Sequence, residues 1–249
     1  MGRFDDKVVL VTGAASGIGR ATALRIASEG GRVACVDIQS EAVEATAKQA
    51  REEGGEAIAL VCDVSDPASV RETFAKTLDT YGKLDSLCNI AGILHFDNTH
   101  ELALECWKQI IDVNLTGTFL MCQTAIPHLL ETRGNIVNMA STAALTGHAW
   151  TAAYTASKGG VLSLTVMLAV EYGKQGLRAN AVCPGSIKTP MQDAFRLPEG
   201  GNPNLIRRIM PLDGPRGPET AAAVVTFLAS PDSEHVTGEH IRVDGGALS

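Results

Sequence analysis

Tyr154 and Lys158 stand four residues apart in "AAYTASKGG" (152–160), surrounded by alanines, Ser157, Gly159 and Gly160. On a helix, residues i and i+4 share a face. A free phenol has a pKa near 10 and is mostly protonated at neutral pH, and a neighbouring cation favours the phenolate. The pair could therefore serve as a general base toward an alcohol or a general acid toward a ketone. The plainer alternative is an exposed Tyr and Lys on a solvated helix face. Gly159 and Gly160 each cost about 1 kcal/mol against Ala inside a helix, which points to close packing there.

A second group of residues suits a dinucleotide. "VLVTGAASGIGRA" (9–21) runs from an apolar strand into a helix, with Gly13, Gly17 and Gly19 in the turn. Glycine allows a sharp bend and a close approach of phosphate to backbone. The helix N-terminus behind it offers free N–H groups and a partial positive charge. The spacing is Gly-x-x-x-Gly-x-Gly, and a glycine cluster can also serve a tight turn with no ligand. Asp37 closes the next apolar run, 18 residues beyond Gly19, where such folds set an acid against the adenosine ribose. A carboxylate there accepts hydroxyl protons and repels a 2′-phosphate. At ~4 Å the repulsion is about 1 kcal/mol in water and up to ~4 at an effective dielectric of 20, a preference for NAD over NADP of roughly ten-fold or more. Ile38 and Ser16 stand where a compensating basic residue would be expected. The alternative reading of Asp37 is a residue of a strand-end turn.

The elements that must position these groups are legible from periodicity. Seven short runs rich in Val, Ile and Ala read as strands: 7–13, 32–38, 57–64, 84–92, 134–141, 177–185 and 240–246. Near-continuous apolar runs suit strands buried on both faces. The segments between carry helical spacing, as in 17–30 and 66–82, the latter opened by Asp66 as N-cap and Pro67 at the first position. Such alternation predicts an α/β protein with a parallel sheet, right-handed crossovers and helices on both faces. No linker divides the 249 residues, so one domain is expected. The segment at about 186–216, rich in Pro and Gly, is expected to form a lid over the site rather than a disordered insertion.

With these pieces in place, the chain resembles the short-chain dehydrogenase/reductase family over essentially its whole length. "TGAASGIG" (12–19) matches the family's cofactor loop, and "CNIAG" (88–92) its Asn-x-Ala-Gly strand end, with Ile90 in place of the more usual second asparagine. "DVNLTG" (112–117) carries a helix asparagine, Ser141 precedes Tyr154 by 13 residues, and "PGSIKT" (184–189) and "VDGG" (243–246) complete the pattern. The resemblance implies a single-domain Rossmann fold, a doubly wound seven-stranded parallel sheet. It implies a catalytic tetrad of Asn114, Ser141, Tyr154 and Lys158. Ser141 would steady the substrate oxygen, Lys158 would also bind the nicotinamide ribose, and Asn114 would hold a water linking Lys158 to solvent. Taken singly, Asn114 reads as a satisfied polar group in a helix and Ser141 as a turn hydroxyl. The cofactor NAD would be held by Gly13, Ser16, Gly17, Ile18, Gly19, Asp37, Ile38, Asp63, Val64, Asn89, Ala91, Gly92, Tyr154, Lys158, Pro184, Gly185, Ile187 and Thr189. The reaction implied is hydride exchange between NAD and a secondary alcohol or ketone, with no metal. A 3-oxoacyl-thioester reductase and a catalytically silent NAD-binding protein are the alternatives.

Composition bounds the rest. Apolar residues make up 45% and the formal net charge is −7, with no basic stripe to neutralise phosphates, so nucleic acid is not an expected partner. No run approaches ~18 apolar residues, so no membrane span is expected. The six cysteines (Cys35, Cys62, Cys88, Cys106, Cys122 and Cys183) form no Cys-x-x-Cys pair. Four of them, Cys35, Cys62, Cys88 and Cys183, fall in strand runs, which reads as reduced core thiols of a cytoplasmic protein. "MGRFDDKVVLV" does not read as a secretory signal. A substrate wall of Leu94, His95, Leu145, His148, Trp150, Met191 and Phe195 would suit a hydrophobic alcohol or ketone. Arg207 and Arg208 read as solvated lid residues. By family habit, a homotetramer is expected.

Overall fold

The computed structural model describes residues 2–193 and 195–249, with the side chain of residue 193 left aside. Ala194, within the expected lid, lies outside the described residues. The seven strands are β1 (Val8–Thr12), β2 (Arg32–Asp37), β3 (Glu56–Val61), β4 (Ser86–Asn89), β5 (Asn135–Met139), β6 (Arg178–Pro184) and β7 (His240–Val243). They form one sheet in the order β3-β2-β1-β4-β5-β6-β7, and every pair is parallel. Each run expected as a strand overlaps one, with β3 starting one residue before its expected run. Cys62 falls just beyond β3, buried in the turn that follows.

The helices are α1 (Gly17–Ser28), α2 (Ser40–Glu52), α3 (Pro67–Tyr81), α4 (Leu104–Ile111), α5 (Gly117–Thr132), α6 (Ala152–Tyr172), α7 (Pro190–Asp193), α8 (Asn204–Arg207) and α9 (Pro218–Ala229). They cover the sheet on two sides because strand side chains alternate. Val9 and Val11 of β1 join Ile26 of α1, Val43 of α2 and Leu228 of α9 in one apolar cluster. Val8 and Leu10 of the same strand join Phe74 of α3, Met121 of α5 and Leu168 of α6 in the other. The start of α3 follows its sequence signal. The Asp66 carboxylate accepts from the N–H groups of Ala68 (3.1 Å) and Ser69 (3.0 Å), and Gly82, at φ 75°, ends the helix.

Ala152–Gln175 is long and apolar enough to cross a membrane by length and composition. It carries Tyr154 and Lys158 and packs on β6 as a helix of the folded core. Its two glycines differ. A Cβ on Gly160 would come within 2.8 Å of the Leu115 side chain, whereas one on Gly159 would meet nothing within 4 Å. Close packing thus accounts for Gly160, and nothing in the structure explains Gly159.

Candidate active site

The site lies along the C-terminal ends of the strands, at the point where the chain, having built β1, β2 and β3 outward, returns to place β4 on the other side of β1. Thr12 closes this switch point. Its hydroxyl oxygen accepts from the N–H groups of Ile90 (2.9 Å) and Ala91 (3.1 Å), tying the first turn to the end of β4. A cavity of about 1070 Å³ runs across these ends, from Asp37 at the end of β2 and Asp63 just beyond β3 to Pro184 and Gly185 at β6.

The glycine turn has no room for side chains. Gly13 and Gly17 adopt positive φ of 70° and 52°. A Cβ on Gly19 would sit 2.0 Å from the Gly13 carbonyl oxygen, and one on Gly13 2.9 Å from the Ala91 nitrogen. Ser16 is the N-cap of α1, but its side chain does not cap it. The first N–H groups of a twelve-residue helix thus open on the cavity with no side-chain acceptor. The Asp37 carboxylate accepts from Ala15 N–H through Oδ2 and from Gln39 N–H through Oδ1, both at 3.0 Å. Each oxygen keeps a lone pair for a ribose hydroxyl. Asp63 is similarly set, its Oδ1 accepting from the Ser65 N–H and hydroxyl. The Lys and Arg side chains lining the cavity, among the described residues, are Lys108 and Lys158. The free helix N–H groups and the two carboxylates fit a dinucleotide.

At the other side of the cavity, Ser141 lies two residues beyond β5 and caps a short 3₁₀ turn, its oxygen accepting from Ala143 N–H at 3.1 Å. Tyr154 lies in the first turn of α6. Lys158 is buried one turn on, its Nζ 5.7 Å from the centre of the tyrosine ring and donating to the Met139 carbonyl at 2.7 Å. Burial pushes the lysine down to about 8. Burial also pushes the Tyr154 phenol up, against a smaller pull downward from the Ser141 hydroxyl. The expected depression of the phenol by Lys158 is therefore not what the chain produces by itself. Desolvation of the phenolate sets the direction, and the Lys158 ammonium, its own charge destabilised by burial, is directed at a carbonyl.

Asn114 sits in a π-helical turn, Asp112–Thr116, between α4 and α5. Its Oδ1 accepts from Ile93 N–H (2.8 Å), and its Nδ2 donates to Ile93 O (2.9 Å) and Ser157 Oγ (3.1 Å). The Ser157 hydroxyl in turn donates to the Tyr154 carbonyl at 2.7 Å. Asn114 thus ties the loop after β4 to the turn that carries Tyr154. Gly92 lies between Asn114 and Lys158: a Cβ there would be 3.1 Å from Oδ1 of the one and 3.4 Å from Nζ of the other.

These features can be set beside known proteins. A family model of the short-chain alcohol dehydrogenase type, described as enoyl-(acyl carrier protein) reductase, matches residues 13–247. The 3-oxoacyl-[acyl-carrier-protein] reductase of Thermotoga maritima is 40% identical over 247 residues, 99% of each chain. The chain belongs to the short-chain dehydrogenase/reductase family. The meso-2,3-butanediol dehydrogenase of Serratia marcescens is another relative, 39% identical over 99% of this chain and 96% of its own. The crystal structure of a short-chain dehydrogenase from Mycobacterium paratuberculosis bound to NAD superposes with a TM-score of 0.90 at 28% identity, covering 99% of both chains. As a short-chain dehydrogenase/reductase, the protein is an oxidoreductase of a family that uses nicotinamide cofactors.

Within this short-chain dehydrogenase/reductase, all but two of the residues expected at the site line the one cavity. Asn114 stands behind its wall. Asn89 does not line it either: its Nδ2 donates to Asn138 Oδ1 at 2.9 Å and to the Cys122 sulfur at 3.3 Å, in the core between β4, β5 and α5. Asn89, the last residue of β4, keeps its side chain in the core, while Ala91 and Gly92, in the loop beyond the strand, line the cavity. The substrate wall is also revised. Leu94, His148, Met191 and Phe195 line the cavity, while His95, Leu145 and Trp150 do not. Phe96, Ile206, Ile209 and Met210 take their place, and the Phe96 and Phe195 rings meet edge to face at 4.6 Å. Arg207 and Arg208 are exposed and stand outside the lining. Glu105, Lys108 and Asp112, from α4 and the π turn, border the cavity with no sequence signal to announce them. Cys35, Cys88 and Cys122 are buried free thiols pushed up to about 12 by burial, which makes them inert.

Proposed function

We propose that the chain is an NAD-dependent dehydrogenase/reductase that exchanges a hydride with a neutral secondary alcohol or ketone. One observation carries the reading: a single cavity holds both the uncapped glycine turn with Asp37 and the Ser141, Tyr154, Lys158 cluster. Gly13, Ser16, Gly17, Ile18 and Gly19 would receive the pyrophosphate. Asp37 and Ile38 would receive the adenosine ribose, Asp63 and Val64 the adenine, and Ala91, Gly92, Pro184, Gly185, Ile187 and Thr189 the nicotinamide half. When bound, NAD supplies the hydride acceptor and NADH the donor. Tyr154 exchanges the proton with the substrate oxygen, which Ser141 steadies. Lys158 holds the nicotinamide ribose, and its charge favours the phenolate when Tyr154 must act as a base. Asn114 fixes the position of Tyr154 and holds a water that links Lys158 to solvent as a proton relay. The apolar side chains from the segment at about 186–216 close the substrate end as a lid of a single domain. Two carboxylates on the adenosine side, with no Arg among the described residues lining the cavity, support NAD over NADP.

The Thermotoga relative supports a second reading, reduction of a 3-oxoacyl thioester. Asp37 weighs against the NADPH that such enzymes commonly use. Exposed apolar residues on α4, α5 and α6, among them Trp107, Phe119, Val166 and Val170, support a homotetramer, and the buried free thiols suit a cytoplasmic setting. Replacing Tyr154 with Phe tests the mechanism. Alcohol oxidation, followed by NADH fluorescence over a panel of secondary alcohols, should collapse while calorimetric NAD binding persists. Oxidation near the wild-type rate would overturn the reading, and turnover of a 3-oxoacyl thioester with NADPH but of no free alcohol would favour the second.

A further inference from the structure

His148 is a polar side chain of the cavity wall that the reaction above does not use. It lies in the loop between Ser141 and α6, with Nε2 3.3 Å from the Thr142 hydroxyl oxygen. That hydroxyl also donates to the Pro184 carbonyl at 3.2 Å. A threonine hydroxyl has one proton to give. The Pro184 carbonyl is a buried backbone acceptor at the end of β6, and such groups are almost always paired. With the threonine proton placed there, the Thr142 oxygen can only accept from His148, so Nε2 carries the ring hydrogen. Burial holds the imidazole below its ordinary pKa, so the ring is neutral and has one hydrogen. Nδ1 is then a bare lone pair.

No described residue bonds Nδ1, and the atom is not sealed from solvent. The cavity that His148 lines also carries the apolar side chains of Leu94, Phe96, Met191, Phe195 and Met210. The Gln192 amide, also in the cavity lining, donates to the Ser186 hydroxyl. An unpartnered acceptor in such a wall discriminates between ligands, because a group that cannot donate leaves it desolvated and unpaired.

We propose that His148 is a specificity-determining residue that accepts a hydrogen bond through Nδ1 from a second hydroxyl of the substrate. The preferred substrates are then diols, or hydroxyketones in the reverse direction, on an otherwise apolar frame. The inference rests on the proposed alcohol chemistry for the reacting carbon, and its test separates the two.

The test compares wild type, His148→Phe and His148→Gln, each saturated with NADH so that an alcohol binds without being oxidised. Calorimetric titrations use cyclohexanol and the cis and trans 1,2-, 1,3- and 1,4-cyclohexanediols, with rates of NAD reduction measured on the same compounds. At least one diol should bind wild type roughly ten-fold more tightly than cyclohexanol, the effect of one good hydrogen bond. In His148→Phe the ratio should fall to about one, with the loss in KM for the diol rather than in kcat. His148→Gln, which keeps an acceptor, should restore part of the ratio, a rescue that a purely structural role would not give. If no diol binds wild type more tightly, or the preference survives in His148→Phe, the inference is wrong. If the preference behaves as expected but no alcohol reduces NAD, the inference stands and the proposed reaction falls.

Discussion

Lys158→Met should make the cofactor-free protein more stable while removing its activity. Lys158 is 3% exposed, and burial brings its pKa from 10.5 to about 8. That gap corresponds to roughly 3 kcal/mol spent at neutral pH on keeping the charge inside the fold. Methionine has similar length and no charge. It forfeits the 2.7 Å bond to the Met139 carbonyl, worth about 1 kcal/mol net. The variant should therefore gain about 2 kcal/mol at pH 7, or a rise in Tm of ~5 °C for a chain of this size. The sign with pH is fixed. Between about 8 and 10.5 the unfolded chain keeps the lysine proton and the folded chain does not, so wild type gains stability as pH rises through that window. The advantage of Lys158→Met should be full below pH 8 and largely gone by pH 10. Urea unfolding of both proteins without cofactor at pH 7 and pH 10 measures it. A variant less stable than wild type at pH 7, or an advantage that does not shrink at pH 10, would refute the view that the amine is held in the fold against its own solvation.

Two further substitutions probe the cofactor side. Asp37→Asn keeps a hydrogen-bonding group but removes the charge, so calorimetry should show the NAD-over-NADP preference falling roughly ten-fold or more. Because Asp63 remains, the preference should reverse only when Ile38, 62% exposed, is also made Arg; an unchanged ratio in the single variant would remove Asp37 from the discrimination. Gly19→Ala forces a methyl to within 2.0 Å of the Gly13 carbonyl oxygen, whereas Gly173→Ala adds one where nothing lies within 4 Å. The first should lose at least ten-fold in NAD affinity and about 1–3 kcal/mol of stability, the second neither, and equal behaviour in fluorescence titration and thermal melts would contradict the packed turn.

The fold could be read from the sequence because local signals and burial agree along most of the chain. Asp66-Pro67 starts a helix for reasons local to it, and the Val-rich runs are strands wherever the sheet is covered on both sides. The turn around Gly13, Gly17 and Gly19 was legible for the same reason, since steric demand shows in residue type. What depends on the third dimension was not. The inward turn of Asn89, the last residue of β4, rests on Asn138 and Cys122 from other parts of the chain, which the motif does not state. Ile206, Ile209 and Met210 reach the cavity only because the segment beyond β6 folds back, and no periodicity in a Pro- and Gly-rich stretch says so. Spacing brought Lys158 and Tyr154 together on α6, but the direction of the phenol's shift is set by how deeply the neighbourhood is buried.

Thr12 has a consequence for how such an enzyme can change. Its one hydroxyl laces two adjacent amides across the seam where the halves of the sheet part, so the bed beneath the nucleotide is pinned and cannot widen to suit a visitor. Adaptation to a new alcohol is thereby pushed to the far rim, into the loop at 141–150 and the flap beyond β6. Those stretches can be rewritten by evolution or in the laboratory while the coenzyme's berth keeps its shape.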